Sequence, residues 1–387
     1  MIRNISIGID VGTTTTRVVV GEFLKGEKNP KILGIGEAPT LGMRHGYVTH
    51  DGLVTDSIKK AVAIAENSSG IKIKKAFISI GSVTLRGDTS SGSTIISKAD
   101  GEVTTLDVTK AIEDSENNLT LGNKKIIQVF PISFKLDGKE ILGRPEGMRG
   151  TKLEVKTLFA TCGSQHLEDL LSSVAEAGVE PIDVIATPIA GSMVALTERQ
   201  KVVGSLLVNI GSETVSIAVF ENGSPIALHT FSIGSSDITN DIALGLKISL
   251  EEAESLKLGN LPEKYPKKKL DEIMEARLSD IFELIENNLR KIKRNELLPA
   301  GISFIGGGAM IPKLEELSKS ELSLPSRVGT NEIFASMKTK LKDPSWFVAL
   351  GLVLYKKEGI GYQEGSSGSI MKDIKNTIKS ITRQLLP

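Results

Sequence analysis

The fold is decided by residues 7–16, IGIDVGTTTT, and by their partial repetition at residues 207–214, LVNIGSET. Each segment carries an acid or amide after an apolar run, then one apolar residue, a glycine and small hydroxyl residues, and a second apolar run follows. This pattern predicts a β-hairpin with a tight turn that exposes backbone N–H groups to phosphate oxygens. One such turn is common in ordinary hairpins. Two copies about half a chain apart predict a duplicated domain that faces one nucleotide across a cleft.

A third segment, residues 302–312, reads ISFIGGGAMIP. It combines a buried-strand run, a glycine triplet and the start of a helix predicted over 312–318. Glycines remove the side chains that would block a flat base or a ribose, so the triplet predicts a seat for adenosine. The alternative is a plain strand–helix turn. The chain contains no Gly-x₄-Gly-Lys-Ser/Thr motif, so a P-loop is not the element that would bind phosphate.

Composition limits the class of protein. The 387 residues are too many for one ordinary core, and 40% of them are hydrophobic, so two or more lobes are expected. The 47 basic and 47 acidic residues cancel, which leaves no overall field to attract nucleic acid. Cys162 is the single cysteine, which excludes an intramolecular disulfide and is typical of a reducing cytoplasm. No signal peptide or membrane-spanning stretch is recognised, so the body is expected to be soluble.

The carboxyl end differs from the rest. Residues 362–368 are polar and rich in Gly and Ser, which predicts a flexible linker. The following segment, 369–386, places bulky apolar residues along one helical face: Ile370, Met371, Ile374, Ile378, Ile381, Leu385 and Leu386. Its charges are four basic residues, among them Lys375 and Lys379, against one acid. This pattern predicts a helix that lies in the membrane interface and is attracted to anionic lipid. The alternative is a helix docked on the protein's own core.

Hydrophobic periodicity gives a coarse map of the remaining elements. An α+β unit is predicted over 79–160, and strands are predicted over 202–232. Helices are predicted near 56–67, 106–117, 166–177, 188–199, 239–247, 250–257 and 271–295.

The ordered motifs resemble the actin-like ATPase superfamily, and further segments are similar to the FtsA family of bacterial division proteins. The superfamily's phosphate 1, connect 1, phosphate 2, adenosine and connect 2 signatures resemble residues 10–16, 182–196, 209–214, 304–312 and 346–355. The FtsA-like segments are 41–48, 128–138, 145–154 and 253–257. The resemblance implies an α/β, actin-like (ribonuclease H-like) two-lobed fold with a nucleotide cleft, a small α+β insert of the FtsA type and a C-terminal amphipathic helix.

The resemblance also implies domain boundaries. They are 1–78, 160–200 and 344–361 for the first-lobe core, 79–159 for the insert, 201–232 and 302–343 for the second-lobe core, 233–301 for its small subdomain, 362–368 for the linker and 369–387 for the membrane-targeting helix.

The predicted site combines these motifs. Asp10, at a strand end, suits a water-mediated Mg²⁺ contact, the alternative being an Asx-turn residue. Arg17 falls where the superfamily often has a phosphate-binding lysine, the alternative being a side chain in solvent. Glu254 and Lys257 share a helix face and match the family's ribose contacts, although they could also be a solvated surface pair. The full set of predicted ATP contacts is Asp10, Gly12, Thr13, Thr14, Arg17, Asn209, Gly211, Ser212, Gly234, Ser235, Glu254, Lys257, Gly306, Gly307, Gly308 and Met310.

Two departures from the superfamily pattern concern catalysis. Asn209 stands where phosphate 2 commonly begins with aspartate, and Thr187 stands where several relatives have glutamate before a proline. Hydrolysis needs a group that orients or deprotonates the attacking water, and no residue is assigned to that role. We therefore expect ATP binding with weak or absent hydrolysis.

The FtsA resemblance implies partners and a location. Such a protein polymerises and tethers FtsZ filaments to the inner face of the cytoplasmic membrane at the division septum, with other divisome proteins nearby. The FtsZ C-terminal peptide is expected on residues 233–301, where Arg290 and Lys293 belong to a basic cluster, and the insert is expected to face a neighbouring subunit. The alternatives are a pilus-assembly adaptor of the same superfamily and a sugar-kinase-like enzyme.

Overall fold

The protein is seen here as a computed structural model that describes residues 4–27, 29–260, 265–333 and 339–355. The strands are β1 Ile5–Val11, β2 Thr15–Glu22, β3 Lys31–Pro39, β4 Met43–Arg44, β5 Tyr47–Val48, β6 Lys75–Ile80, β7 Arg86–Ile95, β8 Lys124–Leu136, β9 Lys139–Ile141, β10 Lys152–Gly163, β11 Glu180–Ala186, β12 Ser205–Ile210, β13 Val215–Glu221, β14 Ser224–Phe231, β15 Ile302–Ile305 and β16 Ser326–Val328.

The helices are α1 Asp51–Ser69, α2 Thr105–Asn117, α3 Ser164–Glu176, α4 Thr187–Ala195, α5 Glu198–Val203, α6 Ser235–Leu246, α7 Leu250–Lys257, α8 Lys267–Lys291, α9 Leu314–Leu322 and α10 Phe347–Tyr355. Short 3₁₀ turns occupy Gly307–Met310, Thr339–Lys342 and Pro344–Trp346. The predicted linker and terminal amphipathic helix lie outside the described residues. Within the described ranges, every helix is too short or too polar to cross a membrane.

Two sheets carry the duplication that the sequence predicts. The first lobe has a five-stranded sheet in the order β11-β6-β1-β2-β3. The second lobe contributes β16-β15-β12-β13-β14 to a longer sheet. In both lobes the first strand of a hairpin also pairs in parallel with a later strand, β1 with β6 and β12 with β15. The predicted two-lobed α/β arrangement is confirmed.

Two helices pack where the lobes meet. Every residue of α4 and of α10 is buried, as expected for apolar helices that are covered on all sides. Their backbones approach so closely that a Cβ added at Gly351 would lie 1.8 Å from the carbonyl oxygen of Ala190. One buried cluster therefore runs from the first-lobe sheet through these helices to residues of the second lobe such as Leu207 and Ile305.

The insert is a small α+β unit, as predicted. Strands β7, β10, β8 and β9 form an antiparallel sheet, and α2 covers it over a separate small core. Helix α2 begins with a capping box in which Thr104 and Asp107 satisfy each other's backbone N–H groups. The insert sheet continues the second-lobe sheet through one bridge, His229 with Arg86, which gives nine strands in all. The sequence reasoning did not predict this connection.

The prediction of one helix over 188–199 is wrong, because the structure has two helices there. The structure ends α4 at Ala195 and starts α5 at Glu198, because the Thr197 side chain accepts a hydrogen bond from the backbone N–H of Gln200 and begins a new helix. Strand β12 consequently starts at Ser205 rather than at 202. The short helix predicted from 312 begins at Leu314 and extends to Leu322.

Candidate nucleotide site between the two lobes

A cleft of about 660 Å³ separates the lobes, within the range of roughly 300–1,000 Å³ that is usual for ligand pockets. It brings together fourteen of the predicted contacts: Asp10, Gly12, Thr13, Thr14, Arg17, Asn209, Gly211, Ser212, Ser235, Glu254, Lys257, Gly306, Gly307 and Met310. Both lobes contribute to the lining. The cleft can therefore hold one ligand between two similar walls.

The two glycine-containing turns have the same geometry. Gly12 donates its N–H to the carbonyl of Thr15 at 3.1 Å, and Gly211 donates to Thr214 at 2.8 Å. Counting outward from these bonds, Asp10 pairs with Arg17 in the first hairpin and Asn209 pairs with Ser216 in the second. The repetition seen in the sequence is thus a repetition of backbone hydrogen bonding. Asp10 and Asn209 occupy equivalent positions.

Asp10 is a buried carboxyl at the floor of the cleft. Its Oδ1 accepts a hydrogen bond of 2.5 Å from the Ser79 hydroxyl on β6. Burial raises the pKa of the Asp10 carboxyl, while the Ser79 hydrogen bond and the Arg17 charge act in the opposite direction. A bound cation would favour the charged form, so the site fits a Mg²⁺ ion that keeps most of its waters. Among the described residues there is no group of three or more His, Cys, Asp or Glu side chains that could hold a metal ion.

The positions that depart from the superfamily pattern also face the cleft. Asn209 and Thr187 both line it. The Asn209 side-chain amide lies 3.5 Å from the Ser216 hydroxyl, at the limit of a hydrogen bond. Thr187 is the first residue of the buried helix α4. Neither side chain can accept a proton from water as a carboxylate would.

The glycine triplet is not uniform. Gly306 has a positive φ of 87°, and a Cβ there would meet Asn209 Oδ1 at 2.3 Å. A Cβ on Gly308 would meet Ile210 Cγ2 at 2.3 Å. At Gly307 a Cβ would meet nothing within 4 Å, and the residue is exposed in the cleft. Gly307 alone therefore leaves open space above the backbone, which is the space a base would need.

Glu254 and Lys257 form a fixed network rather than a solvated surface pair. Lys257 Nζ donates to Glu254 Oε2 at 2.7 Å, to the Thr239 hydroxyl at 2.9 Å and to the Ser235 carbonyl at 3.1 Å. Lys257 is buried, whereas about half of the Glu254 side chain is exposed toward solvent. The network joins the start of α6 to α7. It leaves Glu254 able to accept a hydrogen bond from a ligand hydroxyl.

Arg17 is held in the cleft wall and does not point into open solvent. Its guanidinium pairs with Glu37 at 3.1 Å and lies 5.6 Å from the centre of the Trp346 ring. Lys340 approaches the same Glu37 at 2.7 Å. Arg17 Nε is buried and has no hydrogen-bond partner within the described ranges. A phosphate oxygen is the kind of acceptor that would satisfy this N–H group.

Two predicted contacts are not brought to the cleft surface. The Gly234 N–H already donates to Asp237 Oδ2 at 2.7 Å, as part of the cap of α6. Gly308 is buried against Ile210, beneath the cleft. Sequence reasoning in turn missed Ser79, which partners Asp10. The contact between Ser79 and Asp10 follows from the parallel pairing of β1 with β6. The local sequence pattern does not predict that pairing.

Comparison with known proteins shows which families this chain is similar to. Residues 206–351 match the family model described as "Cell division protein FtsA", and residues 83–161 match "SHS2 domain inserted in FTSA". The chain is 28% identical to the "Cell division protein FtsA" of Bacillus subtilis, over 90% of this chain and 82% of that protein. It is also 28% identical to the protein of that name from Borreliella burgdorferi, over 98% and 97% of the two chains.

Solved structures show the same fold at low identity. The "PilM-PilN type IV pilus biogenesis complex" has a TM-score of 0.67 and 16% identity, and the alignment covers 92% of this chain and 99% of the other. MreB5 of Spiroplasma citri bound to ADP has a TM-score of 0.53 and 14% identity, over 92% and 97% of the two chains. The predicted actin-like fold with its insert is confirmed.

Proposed function

Because this chain belongs to the FtsA family of cell-division proteins, we propose that it binds ATP–Mg²⁺ between its lobes, polymerises, and tethers FtsZ filaments to the inner face of the cytoplasmic membrane at the septum. The proposed nucleotide binding is supported by two equivalent hairpin turns that line one cleft. Each turn is closed by the same kind of hydrogen bond, from a glycine N–H to a threonine carbonyl. Two sets of amides and hydroxyls on opposite walls suit a polyphosphate that touches both lobes.

Self-assembly is supported by the surface of the insert. Ile95, Leu106 and Leu142 are exposed by 65%, 57% and 91%. Burial of these side chains against another molecule would remove their apolar surface from water, which favours association. We assign this contact to a neighbouring subunit in a filament.

The FtsZ peptide is assigned to the small subdomain of the second lobe. Part of the basic cluster there is already engaged within the chain, because Arg290 pairs with Glu286 at 2.7 Å and Arg294 Nη2 donates to Glu221 at 3.0 Å. Lys293 follows the end of α8 with a positive φ of 57°. An acidic peptide would therefore meet Lys293 and would compete with Glu286 for Arg290.

The tethering role is tested by reconstitution on anionic liposomes. We expect FtsZ to float with the liposomes only when the full chain and ATP–Mg²⁺ are present. Deleting residues 369–387, or the FtsZ C-terminal peptide, should leave FtsZ in the soluble fraction. Equal recruitment of FtsZ by the shortened chain would contradict the proposal. It would instead favour a binding mode of the pilus-adaptor kind, in which the terminal helix is not needed.

Hydrolysis is expected to be weak. Asn209 and Thr187 replace the acids that would otherwise sit near the metal and the attacking water, so wild-type turnover should lie far below the roughly 10 s⁻¹ of an average enzyme. Asn209→Asp should raise turnover by adding a carboxylate near the metal, whereas Asn209→Ala should not. A phosphate-release assay measures both, and a wild-type turnover near the average enzyme value would refute this part of the proposal.

A further inference from the structure

A short hairpin of the first lobe reaches toward the second lobe beside the cleft. Strands β4 and β5 are joined by His45 and Gly46, whose φ angles are both positive, 47° and 77°. Two consecutive positive φ angles in a two-residue loop are the mark of a type I′ turn, the preferred connection of tight hairpins. The turn projects His45 away from its own strands.

The hairpin is anchored on α3 and on the segment that connects β6 to β7. The His45 carbonyl accepts a hydrogen bond from the N–H of Val83 at 3.4 Å. The Tyr47 ring packs on the His166 ring with centroids 3.8 Å apart. Gly46 lies so close to Ser82 that a Cβ would be 2.6 Å from its Cα. The position of His45 is therefore set before it meets the other lobe, which lowers the entropic cost of that contact.

The contact across the cleft is made to Glu213. The backbone N–H of His45 donates to Glu213 Oε2 at 2.7 Å, and His45 Nδ1 lies 3.0 Å from the Glu213 carbonyl oxygen. A carbonyl oxygen only accepts, so the Nδ1–H tautomer is the one that donates to it. The same nitrogen also lies 3.3 Å from the Ser232 hydroxyl of the second lobe. Arg44 Nε adds an ion pair to Glu213 Oε1 at 3.2 Å. One glutamate thus receives three contacts from one turn of the opposite lobe.

Glu213 sits inside the second phosphate-type turn without lining the cleft itself. Its neighbours Gly211, Ser212 and Thr214 do line the cleft. The Glu213 side chain is only 18% exposed, so its hydrogen bonds are shielded from water, while Arg44 is 69% exposed and its ion pair contributes little. The His45 contacts to Glu213 and Ser232 carry most of the interaction.

We propose that His45, Arg44 and Glu213 form a clasp that holds the lobes closed and positions the Gly211–Thr214 turn for the nucleotide. The clasp can form only when the lobes are close together, and a nucleotide that touches both walls favours the same closed state. The two events are therefore thermodynamically coupled, and loss of the clasp must weaken nucleotide binding although no ligand contact is removed. This inference rests on the proposed ATP binding.

The test compares variants on each side of the clasp by calorimetric titration with ATP–Mg²⁺. Glu213→Ala and His45→Ala should each weaken binding by about 5- to 30-fold, at the lower end of typical coupling factors. His45→Asn should bind nearly as wild type, because Asn-Gly favours the type I′ turn and the Asn amide can donate where Nδ1–H did. The two alanine substitutions remove different contacts, because His45→Ala keeps the backbone N–H that donates to Glu213 Oε2 and Glu213→Ala keeps the carbonyl that accepts from Nδ1. Their effects on affinity should therefore be close to multiplicative.

A second readout does not depend on nucleotide. In the ligand-free protein, exchange of the His45 amide hydrogen should be slow in wild type and faster in Glu213→Ala, since that amide donates to the Glu213 carboxylate. Failure of the wild-type protein to bind ATP would refute the proposed function. The exchange result alone would then show whether the clasp forms. The clasp is overturned if folded Glu213→Ala keeps wild-type ATP affinity, if His45→Asn is as weak as His45→Ala, or if His45 exchange is unchanged.

Discussion

Replacing Gly307 by valine is expected to abolish detectable ATP binding while leaving the protein folded. A Cβ at this position meets no atom within 4 Å, so the valine side chain can be accommodated by the backbone. The same open space lies in the cleft, next to Met310 and the Glu254 network. The added methyl groups would occupy the seat assigned to adenosine. We expect affinity to fall by at least about 100-fold, or ~2.7 kcal/mol, in a calorimetric titration with ATP–Mg²⁺.

Neighbouring substitutions serve as controls for this result. Gly307→Ala adds a single methyl group and should weaken binding less than valine does. Gly308→Ala should instead reduce thermal stability, because its Cβ would be forced to within 2.3 Å of Ile210 Cγ2. An unchanged ATP affinity for Gly307→Val would show that the adenosine assignment is wrong.

Changing Ile374 and Ile378 together to aspartate is expected to abolish binding to anionic liposomes. Both residues belong to the apolar face predicted from the sequence of the terminal segment. Full burial of a large apolar side chain contributes roughly 1.5–3 kcal/mol, and insertion into an interface gives part of this. Two carboxylates would remove that contribution and add repulsion from anionic lipid. ATP binding should be unaffected, because the polar 362–368 segment is predicted to separate helix from body.

Charge reversal at Lys375 and Lys379 provides the matched comparison. It should weaken liposome binding less than the double aspartate change, and mainly at low salt, where electrostatic attraction is poorly screened. Co-sedimentation at two salt concentrations measures the difference. If the double-aspartate protein sediments with anionic liposomes as wild type does, the terminal segment is not the anchor.

Local patterns predicted the parts of the fold that depend on local chemistry. The two hairpins follow from an apolar run, a glycine and hydroxyl residues, and the structure forms both with the same turn. The glycine triplet was also recognised, although its three members differ. Gly306 and Gly308 have no room for a side chain because Asn209 and Ile210 on the neighbouring strand lie against them. Gly307 has no such neighbour and faces open space.

Long-range contacts explain what sequence reasoning missed. The partner of Asp10 is Ser79, and the partner of Arg17 is Glu37, each brought into place by strand pairing rather than by spacing along the chain. The joining of the insert to the second-lobe sheet depends on one bridge between Arg86 and His229. The periodicity of hydrophobic residues does not specify such contacts between distant residues, because they depend on how complete sheets pack.

The most direct test of the central claim, that one nucleotide binds both lobes, is hydrogen exchange of the wild-type protein with and without ATP–Mg²⁺. The expected result is slower exchange, in the same sample, of peptides that cover the Gly12–Thr14 turn, the Gly211–Thr214 turn and the Gly306–Met310 segment. Each of these lines the cleft, and they come from both lobes. Protection confined to one lobe, or no protection at saturating ATP–Mg²⁺, would contradict the account.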